Sequence, residues 1–159
     1  MKKFIVIVLA TFATLALAKV PVTVMPGVIG VELPSMTYLM SDSECPVPAD
    51  ARAAIEKITK DIIQDLGYAE KEGRFSCLFA SSDSGLFVTS LKLKLKRAKY
   101  ELFYENAQNF EADNATAAML IQGWVKDKND ERSLIILGYF MADGVDGIAL
   151  YAYTGTGSK

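Results

Sequence analysis

The densest group of charged side chains in this sequence is basic and comprises Lys92, Lys94, Lys96, Arg97 and Lys99. Alternate side chains of a β-strand share one face, so a strand here would display Lys92, Lys94 and Lys96 together. Such a row could bind an anionic polymer of the cell envelope or nucleic acid. The alternative, which the sequence favours, is a solvated outer face whose charges prevent edge-to-edge aggregation of sheets.

The chain has no histidine, and this restricts the chemistry that it can perform. Ser–His and Cys–His catalytic pairs, imidazole metal sites and histidine pH switches are all excluded. A pair of the 19 acidic residues could still cleave glycans, because spacing in the sequence does not show which carboxylates converge in space. We therefore predict no metal and no cofactor, and we favour a binding role over an enzyme.

The two cysteines, Cys45 and Cys77, are 32 positions apart. The sequence has neither the C-x-x-C spacing of a redox motif nor a histidine to complete a zinc site. In an oxidising compartment such a pair most often forms one structural disulfide. Closing this loop would stabilise the fold by roughly 3–4 kcal/mol, because it restricts the unfolded chain.

The first eighteen residues predict a cleaved signal peptide, residues 1–18. Lys2 and Lys3 precede an apolar run, and residues 16–18 (Ala-Leu-Ala) have the small-x-small pattern that signal peptidase recognises. The run covers about 15 residues, fewer than the roughly 20 that a membrane-spanning helix needs. Residues 19–159 would remain as a single globular domain with a net charge of −4 and no transmembrane segment. We therefore expect a periplasmic or extracellular protein and no nucleic-acid partner.

Residues 20–33 form an apolar, β-branched segment interrupted by prolines. Prolines are confined to edge strands, and Pro26-Gly27 suits the centre of a type II turn. The segment either completes the domain's own sheet, which we favour, or adds as a strand to the sheet of a partner. The residues of such a partner-binding arm would be Val20, Val22, Val24, Val28 and Val31.

One segment predicts a helix, and most of the remaining chain predicts strands. Apolar residues recur at steps of three and four between Pro48 and Leu66, and Gly67 provides a stop. Residues 106–114 predict a loop and residues 154–159 a flexible tail. Strands are predicted at 75–80, 86–96, 99–105, 117–126, 134–141 and 148–153; the second and third form a hairpin, and 134–141 is apolar on both faces. For residues 117–126 a helix is the alternative, but Gly123 favours the strand.

Together these elements predict an α+β fold: one amphipathic helix packed on an antiparallel, largely meandering sheet of about six to eight strands, with one disulfide. We expect an exported, non-catalytic protein that binds a partner in the cell envelope, either a protein or an anionic polymer. Three alternatives stay open. They are an inhibitor of a secreted hydrolase, a carboxylate-dependent enzyme acting on envelope glycans, and a structural subunit that exchanges strands.

Overall fold

A computed structural model describes residues 20–112, 115–142 and 146–158, and the predicted signal peptide lies outside this part of the chain. Within the described ranges no helix is both long and apolar enough to cross a membrane. The described elements are β1 (Val20–Pro21), β2 (Thr37–Met40), a 3-10 turn (Asp42–Glu44), α1 (Ala49–Asp65), β3 (Ala69–Ala80), α2 (Ser84–Arg97), β4 (Glu101–Ala112), β5 (Ala115–Lys128), β6 (Glu131–Ala142) and β7 (Ile148–Ser158).

The strands form one antiparallel sheet of seven strands in the order β1-β2-β3-β7-β6-β5-β4. Strands β4 to β7 follow one another as a meander, and β3 pairs with the far side of β7. The predicted α+β class is therefore confirmed. Helix α1 packs on one face of the sheet, while α2 and residues from the 22–33 segment pack on the other. This explains why β6 is apolar on both of its faces, as the sequence predicted.

Helix α1 is the helix predicted from the apolar periodicity. Its stripe of Ala51, Ile55 and Ile62 is buried against the sheet. Gly67, at φ +58°, follows the helix, and the amide of Tyr68 donates to the carbonyl of Ile63 at 3.1 Å. This is the hydrogen-bond pattern of a Schellman termination, in which a left-handed residue reverses the chain.

Helix α2 corrects the prediction of a strand at residues 86–96 and of a hairpin with 99–105. The alternating leucines and lysines also contain a helical repeat, because Phe87, Leu91 and Leu95 are four residues apart and all buried. The side chain of Asp83 caps the helix by accepting from the amide of Leu86 at 2.9 Å. Leucine and lysine are both strong helix formers, and with the cap they decide the conformation.

Two stretches predicted to be irregular are instead strands. Residues 106–112, predicted as a loop, continue β4 in pairing with β5. Residues 154–158, predicted as a flexible tail, continue β7 and pair with both β3 and β6. In both cases small and polar residues lie in a sheet because neighbouring strands supply backbone partners, which overrides their weak strand propensity. The strand favoured for residues 117–126 is confirmed as part of β5.

The predicted disulfide between Cys45 and Cys77 is present, with the two Cα atoms 5.8 Å apart. Cys77 is buried in β3 on the sheet face that α1 covers. Cys45 lies just before α1 and packs against the same cluster. The bond therefore ties the segment before α1 to β3, the strand that follows α1.

Candidate functional site

A cleft of about 570 Å³ opens at the C-terminal end of α1. Its walls come from the last turns of that helix, from the chain that reverses after it, and from strands β3 and β7. Most of its lining is apolar or aromatic, and one carboxylate lies among these groups. The lining residues are Thr59, Lys60, Ile63, Gln64, Gly67, Tyr68, Glu70, Gly73, Phe75 and Tyr153.

Glycines on the sheet make the space in which the tyrosines of the cleft lie. Gly73 and Gly155 are register partners on β3 and β7. A Cβ atom on either glycine would collide with the hydroxyl of Tyr153. Likewise, a Cβ atom on Gly157 would lie 2.8 Å from the ring of Tyr68. The glycines of β7 therefore allow two aromatic rings to lie flat on the sheet.

A bulge in β3 determines which charged residue faces the cleft. The register pairs Glu72 with Thr156 and Glu70 with Gly157, so Lys71 is an extra residue without a partner in β7. Without this bulge, Lys71 would lie opposite Gly157 and point to the α1 face, because side chains alternate along a strand. The bulge gives that position to Glu70 and so places an acid in the cleft instead of a base.

Tyr153 holds the carboxylate of Glu70 in place. Its hydroxyl donates a short hydrogen bond to Oε2 of Glu70. Burial raises the pKa of Tyr153, and the hydrogen bond to Glu70 raises it further. Burial, together with the nearby Glu70 charge, also raises the pKa of Tyr68 to about 12. Both phenols therefore stay protonated at neutral pH and do not act as bases. Tyr153 donates to Glu70, whereas the buried hydroxyl of Tyr68 has no hydrogen-bond partner among the described residues.

A ligand could use the hydrogen-bonding capacity of Glu70 that Tyr153 leaves free. Within the described part of the chain, its carboxylate has no ion-pair partner within 4.0 Å, and the hydrogen bond from Tyr153 occupies only Oε2. Lys60 lines the same cleft but is exposed. Glu70 itself is exposed, so its Oε1 can accept a hydrogen bond from a ligand.

The aromatic wall of the cleft continues beneath α1. Phe75 stacks on Tyr151 with ring centroids 5.1 Å apart, and it contacts Tyr153 at a tilt with centroids 5.2 Å apart. Tyr151 donates to Oε1 of Glu56 at 2.8 Å, and its pKa is raised to about 12 by burial and by that hydrogen bond. Phe75 is the least buried of the three rings and is a wall of the cleft.

Comparison of the chain with models of known protein families, with curated proteins and with solved structures gives no match. The function of the cleft therefore has to be inferred from its geometry. Among the described residues, no cluster of three or more His, Cys, Asp or Glu side chains could hold a metal ion. The cleft offers an acceptor on Glu70, an exposed ammonium group on Lys60, and aromatic and aliphatic surface.

The basic residues singled out in the sequence lie on α2 and at its end, not on a strand. Lys92 pairs with Glu105 of β4 at 3.5 Å, whereas Lys94 pairs with Glu32 of the N-terminal segment at 3.2 Å. These partners lie on opposite flanks of the helix, because residues two apart on a helix are about 200° apart. The expected single row of lysines is therefore wrong, and whether these residues bind an anion stays a prediction.

The last basic residues of the group have a structural explanation. Lys94, Lys96 and Arg97 occupy the last turn of α2, where positive charge interacts favourably with the helix dipole. Lys99 has a φ of +69° and is the left-handed residue that ends the helix. The amide of Tyr100 then donates to the carbonyl of Leu95 at 3.0 Å, as in α1.

The proposed partner-binding arm is folded largely onto its own domain. Val28 and Val31 are buried in the core cluster that includes residues of α2, and whether the segment binds a partner stays a prediction. Val20 and Val24 are about half exposed, and Val22 packs partly on the core. The predicted type II turn is present: Gly27 has a φ of +82°, and the amide of Val28 donates to Met25 at 3.2 Å.

Sequence reasoning did not find the cleft. Glu70, Tyr68 and Phe75 were not singled out. The bulge that selects Glu70 leaves no signal in the residue types. The alternation of Gly155 and Gly157 after Tyr153 is a usable signal, because glycines within a strand often mark the close approach of another group.

Proposed function

We propose that the protein is exported and acts as a non-catalytic binding protein whose ligand occupies the cleft beside Glu70. Two features support export: the signal-like pattern of residues 1–18 and the disulfide, a bond that persists in oxidising compartments. The cleft supports binding because it combines apolar walls with few polar groups, as ligand sites generally do.

We infer the ligand class from the carboxylate of Glu70. Tyr153 fixes this carboxylate, and aromatic and aliphatic walls lie beside it. A carboxylate without an ion-pair partner favours a cationic donor, and charge-assisted hydrogen bonds are the strong ones. Aromatic rings also attract cations through their π faces. We therefore propose a small organic amine with an apolar or aromatic body as the ligand.

A binding role suits the tyrosines better than a catalytic one. The raised pKa values of Tyr68 and Tyr153 keep their hydroxyls protonated, so neither acts as a base at neutral pH. The cleft also does not suit an anionic polymer, because Glu70 would repel it. If such a polymer binds, the exposed Lys96, Arg97 and Lys99 would be its contacts.

Calorimetric titration of the protein purified after export tests the ligand class. The probes are phenethylamine, phenethyl alcohol and phenylacetate, which share a phenyl group and differ in charge. The alcohol can also donate to Glu70, so the amine gains only the added ionic attraction, about 0.2–1 kcal/mol at an exposed carboxylate. The amine is therefore expected to bind up to about fivefold more tightly than the alcohol. Phenylacetate is expected to bind most weakly because Glu70 repels it.

Two matched variants separate the cleft from general charge. Glu70→Gln is expected to remove the preference for the amine, since the amide carries no charge. Glu72→Gln removes the same charge from a neighbouring position on the other face of β3, and it should leave the preference intact. Equal affinities of the amine and the alcohol in the unaltered protein, or equal effects of the two variants, would contradict the proposed ligand class.

The export part of the proposal has its own measurement. Mass spectrometry of the protein recovered outside the cytoplasm should show Lys19 as its first residue and a bond between Cys45 and Cys77. A protein that keeps Met1 and remains in the cytoplasm would contradict export, whatever the result of the titration.

A further inference from the structure

The two edges of the sheet differ greatly in the backbone that they leave unpaired. Strand β1 is two residues long, whereas β4 has twelve residues and, among the described strands, pairs only with β5. An edge strand presents backbone amides and carbonyls that an extended peptide can use for pairing. Strand β4 is therefore the edge at which another chain could be added.

A groove runs beside the beginning of this edge, between β4 and the outer side of α1. Its volume is about 330 Å³, and its walls are mainly apolar. Phe103 is 39% exposed there, although it is a large hydrophobic residue. The groove is lined by Ile58, Asp61, Ile62, Asp65, Leu66, Phe103 and Tyr104.

A bulge in β4 shapes the groove. The register pairs Leu102 with Trp124 and Tyr104 with Gly123, so Phe103 is the extra residue. A Cβ atom on Gly123 would lie 2.8 Å from the ring of Phe103, which shows that the ring lies across this glycine. The bulge thus places two consecutive aromatic side chains in the groove, where a regular strand would place only one.

The charges of the groove indicate its occupant. Asp61 and Asp65 line it, and none of its lining residues is basic. Charges of opposite sign complement each other across interfaces, so the groove favours a basic partner. We propose that β4 and this groove bind an extended segment of a partner protein in which an apolar and a basic residue lie two positions apart, and so share one face of the segment.

In such a complex the two parts of the surface have different roles. The segment pairs with the free backbone edge of β4, which provides affinity without selecting a sequence. An apolar side chain enters the groove against Phe103, and the basic side chain two positions along, on the same face, approaches Asp61 and Asp65. The surface is separate from the cleft, because the two sets of lining residues do not overlap.

The test measures binding of a labelled peptide that repeats Val-Thr-Lys-Thr, with valine and lysine on the same face, to the full-length exported protein. Fluorescence anisotropy gives the affinity, and hydrogen exchange locates the peptide. We expect backbone amides of β4 to become protected, and we expect affinity to fall with added salt. The matching valine–glutamate peptide should bind at least tenfold more weakly.

Charge variants provide the control for specificity. The double variant Asp61→Asn/Asp65→Asn should weaken binding of the lysine peptide about three- to tenfold. Asp130→Asn/Glu131→Gln removes the same net charge at the β5–β6 turn, outside the groove, and should have no effect. Equal loss in both double variants, unchanged exchange in β4, or protection of β4 in a peptide-free dimer would each overturn the proposal.

Discussion

The docking of α1 on the sheet depends on the absence of a side chain at Gly138, in the middle of β6. A Cβ atom there would lie 2.8 Å from Cγ1 of Ile55 and would collide with its Cδ1. Ile55 is fully buried and belongs to the stripe by which α1 contacts the sheet. We therefore predict that Gly138→Ala destabilises the protein because α1 must move or Ile55 must adopt a strained rotamer.

The size of this destabilisation follows from the distances. Carbon atoms pack best at about 3.5–4.0 Å, so the contact with Cγ1 alone requires a shift of roughly 0.7–1.2 Å. Overpacking of this kind costs about 1–3 kcal/mol, and the loss of glycine flexibility in the unfolded chain offsets about 0.5–1 kcal/mol of it. By itself, Ile55→Val should cost about 0.5–1.5 kcal/mol. In the Gly138→Ala background it removes the colliding Cδ1, so its cost should disappear or change sign.

Urea unfolding followed by circular dichroism measures this double-mutant cycle. We expect Gly138→Ala/Ile55→Val to be about 1 kcal/mol more stable than the sum of the single effects. Ile62→Val is the matched control, because Ile62 is buried on the same helix but is not among the atoms nearest to Gly138. Additivity with Ile55→Val to within about 0.5 kcal/mol would refute the reasoning, as would equal coupling for the two valine variants.

Three further predictions concern the covalent bond, alkaline pH and a helix end. Replacing Cys45 and Cys77 together by serine should lower the free energy of unfolding by about 3.7 kcal/mol in the loop-entropy model, measured against the oxidised protein; no loss would contradict it. The pKa values of Tyr68 and Tyr151 rise from 10.0 to about 12 on folding, so the unfolded chain loses their protons first. Stability should therefore be retained below pH 10 and fall between pH 10 and 12 by up to about 1.4 kcal/mol per pH unit for each tyrosine. Urea unfolding measured across this pH range tests the prediction. If replacing either tyrosine by phenylalanine does not reduce the loss of stability with pH, the tyrosines are not its cause. Lys99→Gly should raise stability by about 0.5–1 kcal/mol, since φ is +69° there, and an unchanged urea midpoint would argue against strain.

The correctly predicted elements are those whose pattern of apolar residues is compatible with only one type of secondary structure. The stripe of α1 fits only a helix, and the doubly apolar β6 fits only a covered central strand. Residues 86–96 fit two periods at once, because Leu91 and Leu95 satisfy both alternation and a four-residue repeat. Leu93 distinguishes the two, since it faces inward in the strand and is 51% exposed in the helix. The helix propensity of leucine and lysine, the cap from Asp83 and the covering of the second sheet face together favour the helix, and the last of these is a tertiary property.

The cleft was not predicted, and the reason is different. Its carboxylate is selected by a one-residue bulge, and a bulge reverses the orientation of every side chain beyond it. Glu70 and Lys71 are adjacent and both polar, so the sequence does not indicate which of them faces α1. Glu70 faces α1 because of the register of β7, whose final residues were predicted to be a tail.

The same small residues of β7 therefore contribute to both the fold and the candidate site. Gly155 and Gly157 leave room on the sheet for Tyr153 and Tyr68, and these rings fill space that larger residues would occupy in an ordinary strand. Tyr153 then fixes Glu70 at the edge of that space. A substitution such as Gly155→Ala would displace Tyr153 and so affect the packing and the position of the carboxylate together. Stability and ligand affinity should therefore fall together in Gly155→Ala, whereas Glu70→Gln should reduce only affinity for the amine.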